Sequence, residues 1–310
     1  MQKLDDLLEK TNEEELLNDF YEAYEDNNFK KLCSLIPLEK EHLAKYTSLL
    51  QDSVKEFNNC KGCKGLDKCK NQVNGYIYFP TANGDSLSFD YHPCKYMKKK
   101  LKDTEYQKNI DLFNISSALK DARIKDIYVD DKSRIEVVKY INNYYDKFFT
   151  DKREKGLYLC GNFGCGKTYI IAALFNELAK KDVRSAIVYF PEFLRTLKSS
   201  FTPNNDEVNF ESKFDYIRKI PLLLIDDIGA ENVTAWSRDE ILGTILQYRM
   251  EENLPTFFTS NLSLKELEIH LSTSNNKVDM LKARRIIERI KYLSNELSLI
   301  GIDRRNNSAS

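Results

Sequence analysis

Gly161-Asn162-Phe163-Gly164-Cys165-Gly166-Lys167-Thr168 fits G-x-x-x-x-G-K-[ST], the phosphate-binding loop of nucleoside triphosphatases. Residues 156–160 read as a short buried strand. Residues 169–179, opening on Tyr169, read as an apolar helix. That strand–loop–helix context is what the motif requires. Loop glycines let backbone N–H groups close around phosphates, and the helix N-terminus favours their charge. Lys167 would reach the β- and γ-phosphates of ATP, and the Thr168 hydroxyl would sit on Mg²⁺.

Downstream, apolar runs alternate with helical spacing. Strands are expected at 185–190, 221–227, 255–260 and 296–301, with helices between them. With the strand before the loop this makes a five-stranded parallel sheet covered on both faces, an α/β fold whose strand tips carry the site. The third of these strands ends in Asp226-Asp227. The first carboxylate would hold Mg²⁺ opposite Thr168, and Asp227 would orient or deprotonate the attacking water. Asp reaches less far than Glu, so slow turnover is expected. Asn261, at the next strand tip, would hydrogen-bond the same water or the γ-phosphate. Residues 280–293 form a basic amphipathic helix with Arg284, Arg285 and Arg289. Arg289 is the chosen finger for a neighbouring subunit's γ-phosphate. Arg304 is the candidate sensor in cis, with Arg305 as its alternative.

The chain has 310 residues, 42% hydrophobic and 31% charged, with net charge −1. These values describe a globular chain, and no run approaches the roughly 20 apolar residues of a membrane span. The first residues lack a signal-peptide pattern, so a cytoplasmic location is expected. Near-neutral charge means that any basic surface must be local.

Residues 1–50 look helical and acidic. Cys60-Lys-Gly-Cys63, then Cys69, then His92-Pro-Cys94 follow, with an Asn83-Gly84 hairpin between Cys69 and Cys94. C-x₂-C is the usual half of a structural zinc site, because a tight knuckle faces two thiolates towards one ion. The expected ligands are Cys60, Cys63, Cys69 and Cys94, with His92 as substitute for a fourth. Lys95 to Lys102 holds five lysines, read as a solvated stretch or a phosphate-contacting patch. Weak periodicity marks 103–133 as a linker. From Ser133 helical spacing returns, with Ser133 and Glu136 as a capping box. The expected division is therefore 1–102 with the zinc site, 103–133 as linker, and 134–310 as the ATPase domain.

Taken in order, the phosphate loop, Asp226-Asp-Ile-Gly-Ala-Glu231, Trp236-Ser-Arg-Asp-Glu, Gln247-Tyr-Arg-Met, Pro255-Thr-Phe-Phe-Thr-Ser-Asn261 and the 283–290 arginine helix resemble the DnaI/DnaC family of helicase loaders, within the AAA+ class. The resemblance runs strongly from about 134 to 305 and more weakly through the cysteine-bearing region. It implies an ATP-dependent loader that binds a hexameric replicative DNA helicase through residues 1–100 and places the ring on single-stranded DNA. It also implies self-association through ATPase domains and no C-terminal helical lid. Single-stranded DNA would be contacted by the segment 191–217, carrying Phe193, Arg195, Lys198 and Phe201. A transposition helper ATPase of the IstB type shares the same core and is the competing reading. The cysteine-bearing N-terminal region argues against it.

Overall fold

The computed structural model describes residues 4–150, 154–199, 207–274 and 276–304, in two compact units, 1–105 and 106–310. Phe201 and Arg305 lie outside the described residues.

The first unit starts with four helices, α1 (Leu4–Ala23), α2 (Asn27–Ser34), α3 (Lys40–Ala44) and α4 (Thr47–Cys60). Asp26 caps α2, its carboxylate accepting from the Asn28 and Phe29 N–H groups. Phe20, Phe29, Leu43 and Leu50 make the small apolar centre. The hairpin β1 (Tyr76–Asn83) and β2 (Ser86–Pro93) follows, turning at Gly84-Asp85. A two-stranded sheet is marginal alone. Here the buried Glu56 carboxylate clamps it to α4, accepting from the N–H groups of Gln72 (3.1 Å) and Tyr78 (2.6 Å). Helix α5 (Lys95–Asp103) closes the unit.

The second unit is a parallel sheet of six strands, one more than the sequence suggests. In chain order these are β3 (Ile110–Phe113), β4 (Gly156–Gly161), β5 (Ser185–Tyr189), β6 (Leu222–Asp226), β7 (Thr256–Ser260) and β8 (Ser294–Leu299). Their spatial order is β3-β5-β6-β7-β4-β8, every pair parallel. The extra strand, β3, comes from the expected linker. Four residues on a sheet edge are too few for periodicity to register, and only pairing with β5 defines them. Residues 106–133 thus belong to this unit.

The helices are α6 (Lys132–Lys147), α7 (Lys167–Ala179), α8 (Phe190–Ser199), α9 (Glu207–Lys219), α10 (Gly243–Glu251), α11 (Leu264–Leu271) and α12 (Lys277–Leu293). A π-helical turn, Trp236–Leu242, runs into α10. Asp131, not Ser133, caps α6: its carboxylate accepts from the Arg134 N–H at 2.7 Å and from the Ser133 hydroxyl at 2.6 Å. The strands alternate between two cores. Leu157, Leu159, Leu222, Leu224 and Phe257 pack with α6 and α7. Tyr158, Leu223, Ile225 and Phe258 join the core that holds residues of α8, α10, α11 and α12. This period of two, with both faces covered, is why the strands read as unbroken apolar runs.

Phe193 of α8 is 2% exposed and belongs to that second core. It is unavailable for base stacking, because α8 spends its apolar stripe on the sheet. Arg195 pairs with Glu192 at 2.7 Å, and Lys198 stands over the Trp236 ring.

Candidate nucleotide-binding site

β4 delivers the loop at Gly161, beside β8. A Cβ on Gly161 would lie 1.9 Å from the Leu299 carbonyl oxygen, so no larger residue fits. Gly166 precedes the first turn of α7 with φ +89°, a left-handed conformation that bends the loop into the helix. The N–H groups of the first turn of α7 are thereby left for an anion.

Lys167 is buried, and its amine donates to three oxygens: Gly161 O (2.9 Å), Asn162 O (2.8 Å) and Asn261 Oδ1 (2.8 Å). Burial lowers its pKa, while the charges of Cys165, Asp227 and Asp226 act the other way. Asp226 is 5% exposed. Its Oδ1 accepts from the Thr168 and Thr259 hydroxyls, both at 2.6 Å. Burial raises its pKa, and those two hydrogen bonds oppose the rise. Asp227 follows with φ +58°. Asp tolerates that region, and the bend carries residue 227 out of the strand. The Asp227 N–H donates to Thr259 Oγ1 (2.8 Å), and Asn261 Nδ2 donates to Asp227 Oδ1 (3.1 Å). Asn261 thus bridges Lys167 and Asp227, and Thr259 bridges the two aspartates.

These groups line a cleft of about 720 Å³, within the range of small-molecule sites. Phe163, Gly164, Gly166, Thr168 and Tyr169 line it from the loop and α7, and Tyr189 from β5. Asn114, Ile115, Ser116 and Leu119 complete it. Sequence reasoning missed these four, since they follow β3 in the supposed linker. It also missed Thr259, whose signal was a buried hydroxyl within an apolar strand.

A further missed residue is Arg134, 2% exposed. It donates to the Cys165 carbonyl at 2.5 Å and lies 3.7 Å from Asp130 and 3.5 Å from Asp131. Cys165 itself is fully buried, its thiol turned to the Asn162 carbonyl.

Neither Arg304, expected in cis, nor Arg289, expected to act on a neighbouring subunit, lines this chain's own cleft. Arg304 pairs with Asp130 and lies over the Tyr128 ring, while its backbone N–H donates to Gly164 O at 3.0 Å. It steadies the loop from outside the cleft. Arg289 donates to the Gly243 carbonyl at 2.9 Å and lines a separate depression with Thr244, Gln247 and Glu251. Arg284 and Arg285 are exposed.

In the first unit, Cys60, Cys63, Cys69 and Cys94 are free thiols, all partly buried. Among the described residues, no group of three or more Cys, His, Asp or Glu side chains is drawn up as a metal centre. Burial raises the Cys60 pKa, and the charges of Cys63, Cys69 and Cys94 add to it. Asn71 Nδ2 donates to Cys60 Sγ (3.5 Å) and the Gly75 N–H to Cys69 Sγ (3.3 Å). His92 packs edge-on against Phe79.

An AFG1-like ATPase family model matches residues 92–303. The replicative helicase loader DnaI of Bacillus subtilis (strain 168) is 36% identical over 270 residues, covering 87% of this chain and 86% of that protein. The replicative helicase loader DnaC of Escherichia coli (strain K12) is 22% identical over 139 residues, 45% of this chain and 55% of its own length. A crystal structure of DnaI matches at 43% identity with a TM-score of 0.57, covering 65% of this chain and 100% of that one.

Proposed function

The chain belongs to the family of DnaI-type replicative helicase loaders, with an AFG1-like P-loop ATPase domain, and from that premise we propose how its parts divide the work. It loads the replicative DNA helicase. The observation that carries the ATPase reading is the continuous hydrogen-bonded chain Thr168–Asp226–Thr259–Asp227–Asn261–Lys167 along one cleft. The transposition-helper alternative is not favoured, since the relatives of known role are loaders.

In this reading ATP binds with its phosphates on the loop and the N-terminus of α7. Lys167 exchanges its carbonyl partners for β- and γ-phosphate oxygens. Thr168 and Asp226 would hold Mg²⁺, which would supply positive charge beside the phosphates. Asp227 accepts a proton from the attacking water, oriented by Asn261, as the γ-phosphorus–oxygen bond to ADP breaks. Arg289 is offered to a neighbouring subunit's nucleotide. The Gly243 contact must open for it to reach one, which suits slow hydrolysis that quickens on assembly.

The first unit is the helicase-contacting part. The donor chemistry of Cys60, Cys63, Cys69 and Cys94 fits a closed zinc site that holds the knuckle, α5 and the hairpin together. Of the candidates named in 191–217, Phe193 is taken by the core, and Arg195 and Lys198 would serve single-stranded DNA as phosphate contacts.

Native mass spectrometry with the replicative helicase of the same cell, with and without ATP, tests the partner. A stable assembly supports the loader. No complex in either condition sinks it. Lys167→Ala is expected to lose nucleotide binding and Asp227→Ala only hydrolysis. Full loading by Asp227→Ala would make ATP a conformational switch in this step.

A further inference from the structure

Charge is sorted sharply within the first unit. Residues 1–59 carry seven lysines against fourteen Asp and Glu. Residues 60–102 carry nine lysines against three aspartates, with no arginine or glutamate. The nine fall in two runs, Lys61, Lys64, Lys68 and Lys70 around the first three cysteines, and Lys95, Lys98, Lys99, Lys100 and Lys102 on α5.

The fold brings the two runs together. Tyr96 on α5 donates its hydroxyl to the Cys63 carbonyl at 2.9 Å. The Cys94 N–H donates to the Gly75 carbonyl at 2.8 Å, and Met97 packs on Gly75. Tyr96 and Met97 therefore fasten α5 to the cysteine loop. Lys95, Lys98, Lys99 and Lys102 recur at i, i+3, i+4 and i+7, a stripe about 10 Å long on one helix face.

This arrangement opposes folding. Four like-charge pairs at helical neighbour spacing repel one another on a nine-residue helix. Elsewhere lysines sit beside carboxylates, as in Lys55–Asp52, Lys180–Glu177 and Lys291–Glu288 at 2.7–3.0 Å. Among the described residues, none of the nine is in an ion pair, and all nine are exposed.

Aromatic rings stand on the hairpin of the same unit, with Asp52, Asp90 and Glu56 near Tyr78. At the end of the hairpin that opens into Gly75 and Cys94, Tyr78 and Tyr91 are cross-strand partners with ring centroids 5.2 Å apart, and Phe89 stacks on Tyr78 at 5.3 Å. Tyr91 is 38% exposed. Cations that track a phosphate backbone beside half-exposed rings are the chemistry of sequence-tolerant single-strand binding.

We propose that residues 60–102 form a single-stranded DNA-binding surface, with phosphates on the α5 lysine stripe and the knuckle lysines, and a base on Tyr91. It lies outside the ATPase unit and does not depend on the loader reading, because binding is measured with no helicase present.

The test is fluorescence anisotropy of a labelled 30-nucleotide oligo-dT with the full chain over a series of salt concentrations. The triple variant Lys98→Gln/Lys99→Gln/Lys102→Gln should lose affinity at least tenfold. Its slope of log K against log salt should flatten by about 2, or roughly 0.7 per lost phosphate contact. Tyr91→Ala should weaken binding about tenfold with the slope unchanged, since stacking releases no counterions. Removing like charges favours α5, so the triple variant should fold, and unchanged resistance of the hairpin and α5 to proteolysis checks that. Unchanged affinity and slope in the triple variant overturn the proposal, as does absence of oligo-dT binding by the parent chain. If the triple variant loses only the helicase complex, the stripe is a protein-docking surface and the proposal fails.

Discussion

The two units hold their charged groups in opposite ways. In the ATPase unit two arginines are internal and answered. Arg249 is fully buried and donates to the carbonyls of Ile220 (2.7 Å), Pro255 (2.7 Å) and Arg218 (3.2 Å) and to Thr256 Oγ1 (2.8 Å). Arg238 is buried against Asp239 and Asp279, both at 2.7 Å. In the cysteine-bearing unit the described lysines of 60–102 are exposed and in no ion pair, and the hairpin adds Leu87 to the buried core. One unit packs its sheet and helices around these buried arginines. The other leans on local clamps such as Glu56.

The largest test of that contrast is metal removal. If zinc closes Cys60, Cys63, Cys69 and Cys94, a chelator removes an interaction of order 10 kcal/mol from the first unit alone. Proteolysis should then cut the hairpin and α5, while basal ATP hydrolysis persists. Equal protection of the hairpin before and after chelation, with no zinc released, would remove the metal from the account.

Second in size is Arg249→Met. It leaves several buried carbonyls without donors and should cost about 3–5 kcal/mol. Thermal unfolding should show the ATPase transition falling while the transition of the first unit stays in place. If both fell together, the units would not be independent in stability.

Third is Arg134→Gln. The side chain holds the Cys165 carbonyl, so its loss should let the phosphate loop relax. The KM for ATP should rise about tenfold, near 1.4 kcal/mol, with kcat falling less. An unchanged KM would make Arg134 a packing residue only.

Legibility in the sequence follows the same division. The phosphate loop, the double aspartate and Asn261 are readable because chemistry dictates residue type at fixed spacing, and the fold places them along one cleft. Buried parallel strands are readable as apolar runs. β3 is not, because its identity comes from pairing with β5, a long-range contact. Asn114, Ser116 and Leu119 were hidden with it. Arg134 carries no such signal, since nothing local says that its guanidinium turns inward. Phe193 failed in the opposite direction: an aromatic near cations suggested stacking, yet α8 needs it for the core. Arg304 sits next to the loop as its position suggested, but Asp130, from the supposed linker, claims its charge.

The smallest effect separates stability from function within the ATPase unit. Asp226 is buried, and its pKa is raised above the unfolded carboxylate value. A carboxyl raised in this way binds its proton more tightly when folded. Stability is therefore lower at neutral pH than under mild acid, and the penalty fades as pH falls through the folded pKa. Asp226→Asn removes the charge but keeps an oxygen to accept from Thr168 and Thr259. Without nucleotide at pH 7 it should be more stable by about 1 kcal/mol, or roughly 2–4 °C in Tm for a unit of this size. The gain should shrink as pH is lowered, because the parent becomes protonated while the variant has nothing to titrate. Hydrolysis should be lost with it, since Asn is a poor partner for Mg²⁺. A destabilised variant at pH 7, or a gain that grows towards acid, would mean that the two hydroxyls outweigh burial and that Asp226 is held charged by the fold rather than in spite of it.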